Sequence, residues 1–238
     1  MESLKGKNVL LIGATGGIGA HTARLLASSG ANLFLTARNA DKLNALASDC
    51  KLAEKYIAVA DLTRIKEVNA LHQRFFDVFD RIDILVNASG IGIIKTIDNL
   101  SEEELRRSLD TNLIGPFLIL QSFLPDFKNQ KKGLIIHIPG VLGKTPMAGA
   151  AAYSASKYGL VGMLQSIREE VKRTEIRFTN IFLGGVDTAF WDNIDLRVQR
   201  EKMVQAEEAA RAIWFLCQQP LSGVVSEMVL QPFNHQAI

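Results

Sequence analysis

Tyr153 and Lys157 stand four residues apart in Tyr153-Ser154-Ala155-Ser156-Lys157, inside an apolar-periodic run that reads as a helix. That spacing puts a phenol and an ammonium on one helix face. A neighbouring cation favours phenolate over phenol, so the pair is expected to carry a tyrosine of lowered pKa. Such a phenol can exchange a proton with a carbonyl or alcohol oxygen near neutral pH. Alone, the pair is also what a helix surface supplies, and its meaning depends on what lies upstream.

Upstream, Gly13-Ala14-Thr15-Gly16-Gly17-Ile18-Gly19 joins an apolar run to an amphipathic one. Glycines let the chain turn tightly and let backbone N–H groups approach a pyrophosphate, and the helix start adds partial positive charge. A flexible turn is the plain alternative, but the strand–turn–helix setting favours a dinucleotide. The next strand ends Thr36-Ala37-Arg38-Asn39 without the carboxylate that would meet ribose hydroxyls. Arg38 suits a 2′-phosphate, so NADP is expected rather than NAD. Asp61 either caps the following helix or meets the adenine amino group.

Elements able to position these residues recur along the chain. Strands are expected at Asn8–Ile12, Asn32–Thr36, Tyr56–Ala60, Asp83–Asn87, Leu134–Ile138, Arg177–Leu183 and Val224–Leu230. Helices are expected at Ile18–Ser29, Asp41–Ser48, Ile65–Phe79, Glu102–Asn129, Ala152–Lys172 and Ala206–Gln218, with Ser101 and Glu104 as a capping box. Apolar strands alternating with helices imply parallel βαβ units. The expected fold is a single doubly wound α/β Rossmann domain over residues 1–238, with about seven parallel strands and helices on both faces. The 238 residues are 47% apolar and 22% charged, a globular balance. A net charge of +2 gives no basic patch for nucleic acid. Cys50 and Cys217 are too few for a disulfide framework or a cysteine zinc site, and point to a reducing compartment, the cytoplasm. The longest apolar stretch, Leu113 to Leu124, is interrupted by Gly115, Pro116, Gln121 and Ser122, so no membrane span is expected.

In order along the chain, these motifs resemble the short-chain dehydrogenase/reductase family over essentially its whole length. The glycine turn matches at Gly13, Gly17, Ile18 and Gly19. Asn87-Ala88-Ser89-Gly90 matches in part, since the family usually has asparagine second and alanine third. Asn112, in Asp110-Thr111-Asn112-Leu113, matches a helix-borne asparagine, and Tyr153 and Lys157 match the catalytic pair. Leu183-Gly184-Gly185-Val186-Asp187-Thr188 matches the segment that closes over nicotinamide, with Leu183 for the usual proline. The resemblance implies hydride transfer between the nicotinamide of NADP(H) and a carbonyl or alcohol. Tyr153 would be the acid/base, Lys157 would bind the nicotinamide ribose, and Asn112 would kink its helix and hold a relay water. Gly13, Thr15, Gly16, Gly17, Ile18, Gly19, Arg38, Asp61, Leu62, Asn87, Ala88, Ser89, Gly90, Gly184, Val186 and Thr188 would join Tyr153 and Lys157 around the cofactor; no metal is expected.

One family residue is missing. Counting thirteen residues back from Tyr153, where the family has its active-site serine, reaches Gly140 in His137-Ile138-Pro139-Gly140. Losing one preorganised donor typically costs about 10²–10³ in rate. Three readings follow: another donor (Ser89, Thr145, Ser154 or a water) replaces it, the enzyme is slow or uses a substrate with its own hydrogen-bonding group, or the chain binds NADP without turnover. Strand alternation makes His137 a core histidine rather than a substitute. The substrate region is expected around Gly140, Val141, Phe190 and Trp191, with Ile91, Ile93, Ile94, Leu142 and Met147 as apolar wall. Phe190 and Trp191 open a short lid over Ala189–Gln205, either covering substrate or anchoring the lid. Leu105, Leu109, Leu113, Phe117 and Leu120 are expected as the inner stripe of the fourth helix. Surplus apolar surface there and around Leu160, Met163, Leu164 and Ile167 implies a homodimer or homotetramer.

Overall fold

The structure, a computed structural model, describes residues 1–192 and 194–234. Its sheet is built from β1 (Asn8–Ile12), β2 (Asn32–Ala37), β3 (Ile57–Val59), β4 (Ile84–Asn87), β5 (Lys132–His137) and β6 (Glu175–Leu183), joined at the far edge by a late strand. The helices are α1 (Gly17–Ser28), α2 (Ala40–Asp49), α3 (Ile65–Phe76), α4 (Glu102–Leu109), α5 (Gly115–Gln130) and α6 (Ala151–Val171). A two-residue strand, β7 (Val186–Asp187), pairs with β8 (Val204–Gln205), and α7 (Ala206–Leu216) leads to the edge strand β9 (Glu227–Leu230).

The seven strands run parallel in the order β3-β2-β1-β4-β5-β6-β9. The chain moves outward from β1 in one direction, then returns to β4 and moves outward in the other. The crevice beyond the carboxyl ends of β1 and β4, paired as Ile12 with Asn87, is therefore the switch point where such sheets take ligands. One sheet face packs Val9, Leu11, Leu35 and Ile181 against α1, α2 and α7. The other packs Leu10, Phe34, Leu85 and Ile135 against α3, α5 and α6. Among the described residues, no helix is long and apolar enough to cross a membrane.

Local chemistry explains the helix starts. Ser101 Oγ accepts from Glu104 N and Glu104 Oε2 accepts from Ser101 N, both at 3.1 Å, so α4 begins where the capping box placed it. The third helix stops at Phe76 rather than Phe79, and the last strand starts at Glu227 rather than Val224.

The expected single helix over Glu102–Asn129 is interrupted by a π turn at Asp110–Ile114. Pro116 has no N–H for the Asn112 carbonyl, and the turn widens there. The extra residue rotates every later side chain by about 100°, and the inner stripe differs from the expected one already before it, in α4. Leu105, Leu109 and Leu113 are only half-buried and Phe117 is 40% exposed. Leu120 is buried as expected, and Ser108, Asn112, Ile119, Phe123 and Phe127 face inward with it.

Candidate active site

The first turn meets its neighbours at very short range. Gly13 has φ +74°, and a Cβ on it would lie 2.7 Å from Ser89 N. A Cβ on Gly19 would lie 2.2 Å from Gly13 O, so α1 sits directly on the turn. No side chain caps α1, which leaves its first N–H groups uncapped at Gly17 and Ile18.

Beside this turn opens a cleft of about 550 Å³. Gly13, Thr15, Gly16, Arg38, Asp61, Leu62, Ala88, Ser89 and Gly90 line it, together with Lys42 and Thr111. The sequence reading missed Lys42. Asn39 Oδ1 accepts from Lys42 N at 2.8 Å, so the N-cap of α2 turns Lys42 to the same rim as Arg38. The available signal was an Arg-x-x-x-Lys spacing across a strand end and a capped helix. Asp61 Oδ1 accepts from Thr63 N at 3.0 Å and from Thr63 Oγ1 at 2.8 Å. Burial alone would raise its pKa, but those bonds and the charges of Arg38 and Arg64 outweigh it and hold the carboxyl below its ordinary value. Asp61 forms a turn ahead of α3 and does not cap it, since the N-cap residue is Arg64.

Asn87 ties the turn after β4. Its Oδ1 accepts from Ser89 N at 3.0 Å and from Ser89 Oγ at 2.6 Å, and its Nδ2 faces His137 Nδ1 at 3.4 Å. The Ser89 hydroxyl is therefore engaged with Asn87 and does not replace a donor at position 140. His137 is 1% exposed, and burial with the Lys157 charge lowers its pKa to about 3, so it is a neutral core imidazole.

Asn112, in the π turn, is fully buried. Its Oδ1 accepts from Ile91 N at 2.9 Å and its Nδ2 donates to Ile91 O at 3.0 Å and to Ser156 Oγ at 3.1 Å. It thus fixes the 91-loop against α6. Lys157 Nζ donates to Ile138 O at 3.2 Å and lies 5.5 Å from the centre of the Tyr153 ring. A Cβ on Gly90 would fall 3.1 Å from Asn112 Oδ1 and 3.3 Å from Lys157 Nζ, which places all three at one point. Burial lowers Lys157 to about 8 and raises the Tyr153 phenol above its ordinary value. The expected lowering of the tyrosine pKa is reversed here: desolvation of the phenol dominates, and the ammonium is turned to a backbone carbonyl.

Gly140 is not a serine trimmed of its side chain. Its φ of +74° and ψ of 166° are accessible in practice only to glycine. A Cβ there would sit 3.5 Å from Leu183 O and 3.8 Å from Tyr153 Oη, so a small notch faces the phenol. Val141 follows in a single 3-10 turn.

The closing segment divides its work. A Cβ on Gly184 would be 2.7 Å from Pro232 Cδ, so glycine is required at that crossing. Thr188 packs its methyl against the phosphate turn, where a Cβ on Gly17 would be 2.6 Å away. Trp191 anchors the lid, since its Nε1 donates to Val186 O at 2.9 Å. Phe190 faces the site, its ring 5.9 Å from that of Tyr153 and pressed on Gly92. Tyr153, Lys157, Gly184, Val186 and Thr188 thus lie beyond the 550 Å³ cleft rather than in its wall.

A sequence profile of short chain dehydrogenases matches residues 7–199. The chain belongs to the short-chain dehydrogenase family. An uncharacterized oxidoreductase of Staphylococcus haemolyticus is 32% identical over 98% of this chain and 100% of its own. A 3-oxoacyl-[acyl-carrier-protein] reductase of Aquifex aeolicus is 29% identical over 95% of this chain and 96% of its own. Among solved structures, an alcohol dehydrogenase of Thermococcus sibiricus complexed with 5-hydroxy-NADP superposes with a TM-score of 0.86 at 26% identity, covering 98% of this chain and 99% of that one. A metagenomic short-chain oxidoreductase in complex with NADP gives 0.83 at 30% identity, covering 97% and 99%. The family makes the chain an oxidoreductase, and its doubly wound sheet is the one these structures share.

Proposed function

We propose that this protein is an NADP(H)-dependent oxidoreductase acting on a ketone or aldehyde, or the corresponding alcohol, with Tyr153 as acid/base. The observation that carries the reading is the convergence of Tyr153, Lys157 and Asn112 next to an uncapped helix start and a cleft rimmed by Arg38 and Lys42. The residues fit a dinucleotide phosphate. Gly13 and Gly19 leave no room for side chains, the first N–H groups of α1 suit a pyrophosphate, and two cations without a carboxylate at Ala37 suit a 2′-phosphate. The 5-hydroxy-NADP and NADP bound in the two solved structures above support the same choice.

When bound, NADPH supplies the hydride. The chain supplies the proton and the positions. A raised pKa keeps Tyr153 a phenol at rest, the form that donates a proton to a carbonyl oxygen. Lys157, beside the ring, would stabilise the phenolate left behind and bind the nicotinamide ribose. Asn112 holds the Ile91 loop and, through Ser156, the first turns of α6. Thr188 Oγ1 accepts from Phe190 N at 3.3 Å, which leaves its hydroxyl proton for a cofactor oxygen. Val186 and Gly184 shape the same edge, and Phe190 covers the substrate side.

Gly140 favours a second reading, an NADP binder without turnover. NADPH oxidation against a ketone and aldehyde panel separates the two. Turnover that vanishes in Tyr153→Phe while NADPH still binds supports the reductase; tight NADPH binding with no turnover on any substrate supports the binder. Two free thiols, Cys50 and Cys217, fit a reducing compartment such as the cytoplasm, and the outer faces of α5 and α6 fit a homodimer or homotetramer.

A further inference from the structure

One side chain outside the assigned machinery grips the closing segment at three points. Arg200 Nε donates to Asp187 Oδ1 at 2.6 Å, Nη1 donates to Asp192 Oδ1 at 2.7 Å, and Nη2 donates to Thr188 O at 2.9 Å. These partners are the last residue of β7, the residue that packs on the phosphate turn, and the residue just past the short turn Ala189–Trp191. The loop starts from β7 and returns to β8, with Val186 paired to Val204 and Asp187 to Gln205. Arg200 braces its returning arm to its departing arm. The planar guanidinium suits this task, because its donors diverge in a fixed fork that an ammonium cannot reproduce.

The residues so braced face the chemistry. Thr188 lies against Gly17 at one end, and Phe190, whose N–H bonds Thr188 Oγ1, lies against Gly92 and the Tyr153 ring at the other. Small displacements of such groups degrade binding and alignment. We infer that Arg200 is a positioning residue: it holds Thr188 and Phe190 in register with the phosphate turn and Tyr153, and so sets the affinity of the nicotinamide end of NADP(H) and of the carbonyl substrate. The inference rests on the reductase reading for its ligands. The brace itself does not depend on it.

The test compares the full-length protein with Arg200→Met, Arg200→Lys and Asp192→Asn. Amide hydrogen exchange of residues 186–192 reads the brace without any activity. NADPH fluorescence titration and steady-state kinetics read its effect. Arg200→Met is expected to speed exchange in that segment, weaken NADPH at least about fivefold and raise the substrate KM at least about tenfold, with kcat at saturation changed less than about threefold. Arg200→Lys and Asp192→Asn should fall between. Exchange and both affinities within twofold of the parent in Arg200→Met would overturn the inference. So would a fall in kcat with Kd and KM unchanged, which means fewer folded molecules rather than a displaced lid. A parent protein that binds no NADPH would overturn the reductase reading, and with it the ligand-binding role of Arg200, even where exchange still reports the brace.

Discussion

The Tyr153 hydroxyl lies 3.8 Å from the point where a Cβ on Gly140 would sit. The notch between them has room for a small group, yet the backbone that forms it belongs to glycine. Restoring a serine here does not restore the family's hydroxyl, because φ near +74° strains any L side chain. Gly140→Ala and Gly140→Ser are both expected to lose about 1–3 kcal/mol of stability, the cost of such a backbone conformation. Gly140→Ser is further expected not to raise kcat/KM. Thermal unfolding and turnover of the two variants check this, and a more active Gly140→Ser of unchanged melting temperature would contradict it.

Lys157 gives a pH prediction. Burial holds its pKa at about 8 against the ordinary 10.5. Below 8 the folded chain carries a desolvated ammonium, and that cost to stability is relieved as pH rises from 8 towards 10.5. Ribose hydroxyls that accept from the ammonium raise its pKa again. NADPH binding should therefore take up protons at about pH 9 and weaken as pH rises above about 8. Calorimetry in buffers of different ionisation enthalpy measures the uptake. Lys157→Met should abolish it; uptake surviving in that variant would assign it elsewhere.

Arg38 and Lys42 both line the cleft, next to the Asn39 cap. Arg38→Ala should weaken NADPH by about 1.5–3 kcal/mol, the worth of a charge-assisted contact, and leave NADH unchanged. Lys42→Ala should act in the same direction with a smaller loss, since an ammonium bonds a phosphate as a point charge rather than through a fork. Parallel titrations with both cofactors test the pair. Equal losses for NADPH and NADH would remove the 2′-phosphate from the account.

Much of the fold and of the site is legible in the sequence. Short apolar strands, the glycine turn and the Ser101–Glu104 box each announce themselves locally, because strand period, turn chemistry and capping depend on neighbours in sequence. What the sequence hid depends on distant partners. The turn of Lys42 to the cleft rim follows from a cap on α2, and the raised phenol of Tyr153 follows from burial that no spacing reveals. The positive φ of Gly140 follows from its place between Leu183 and Tyr153. The inner face of the fourth helix runs through Ser108 and Asn112 rather than Leu105 and Leu109, because Ser108 bonds the Ala152 carbonyl and Asn112 the Ile91 loop, partners far off in sequence.

The last prediction concerns assembly. Ile114, at the end of the π turn, and Phe117 on α5 stand 40% exposed, and Tyr158 on neighbouring α6 stands 41% exposed. Gly162 on α6 has nothing within 4 Å of an added Cβ, so the helix surface is open at that point. Apolar groups that the sheet does not cover are what a self-complementary two-fold contact uses. The same helices carry Asn112, Tyr153 and Lys157, so a contact there would also stiffen the site. A charge in the middle of the strip cannot be desolvated without a partner. Phe117→Glu is therefore expected to yield monomers at micromolar concentration, while the parent sediments as a dimer or tetramer. Because Phe117 lies outside the core, the variant should keep its fold by circular dichroism. A parent protein that is already monomeric at those concentrations would refute the claim. So would a Phe117→Glu variant that assembles as the parent does.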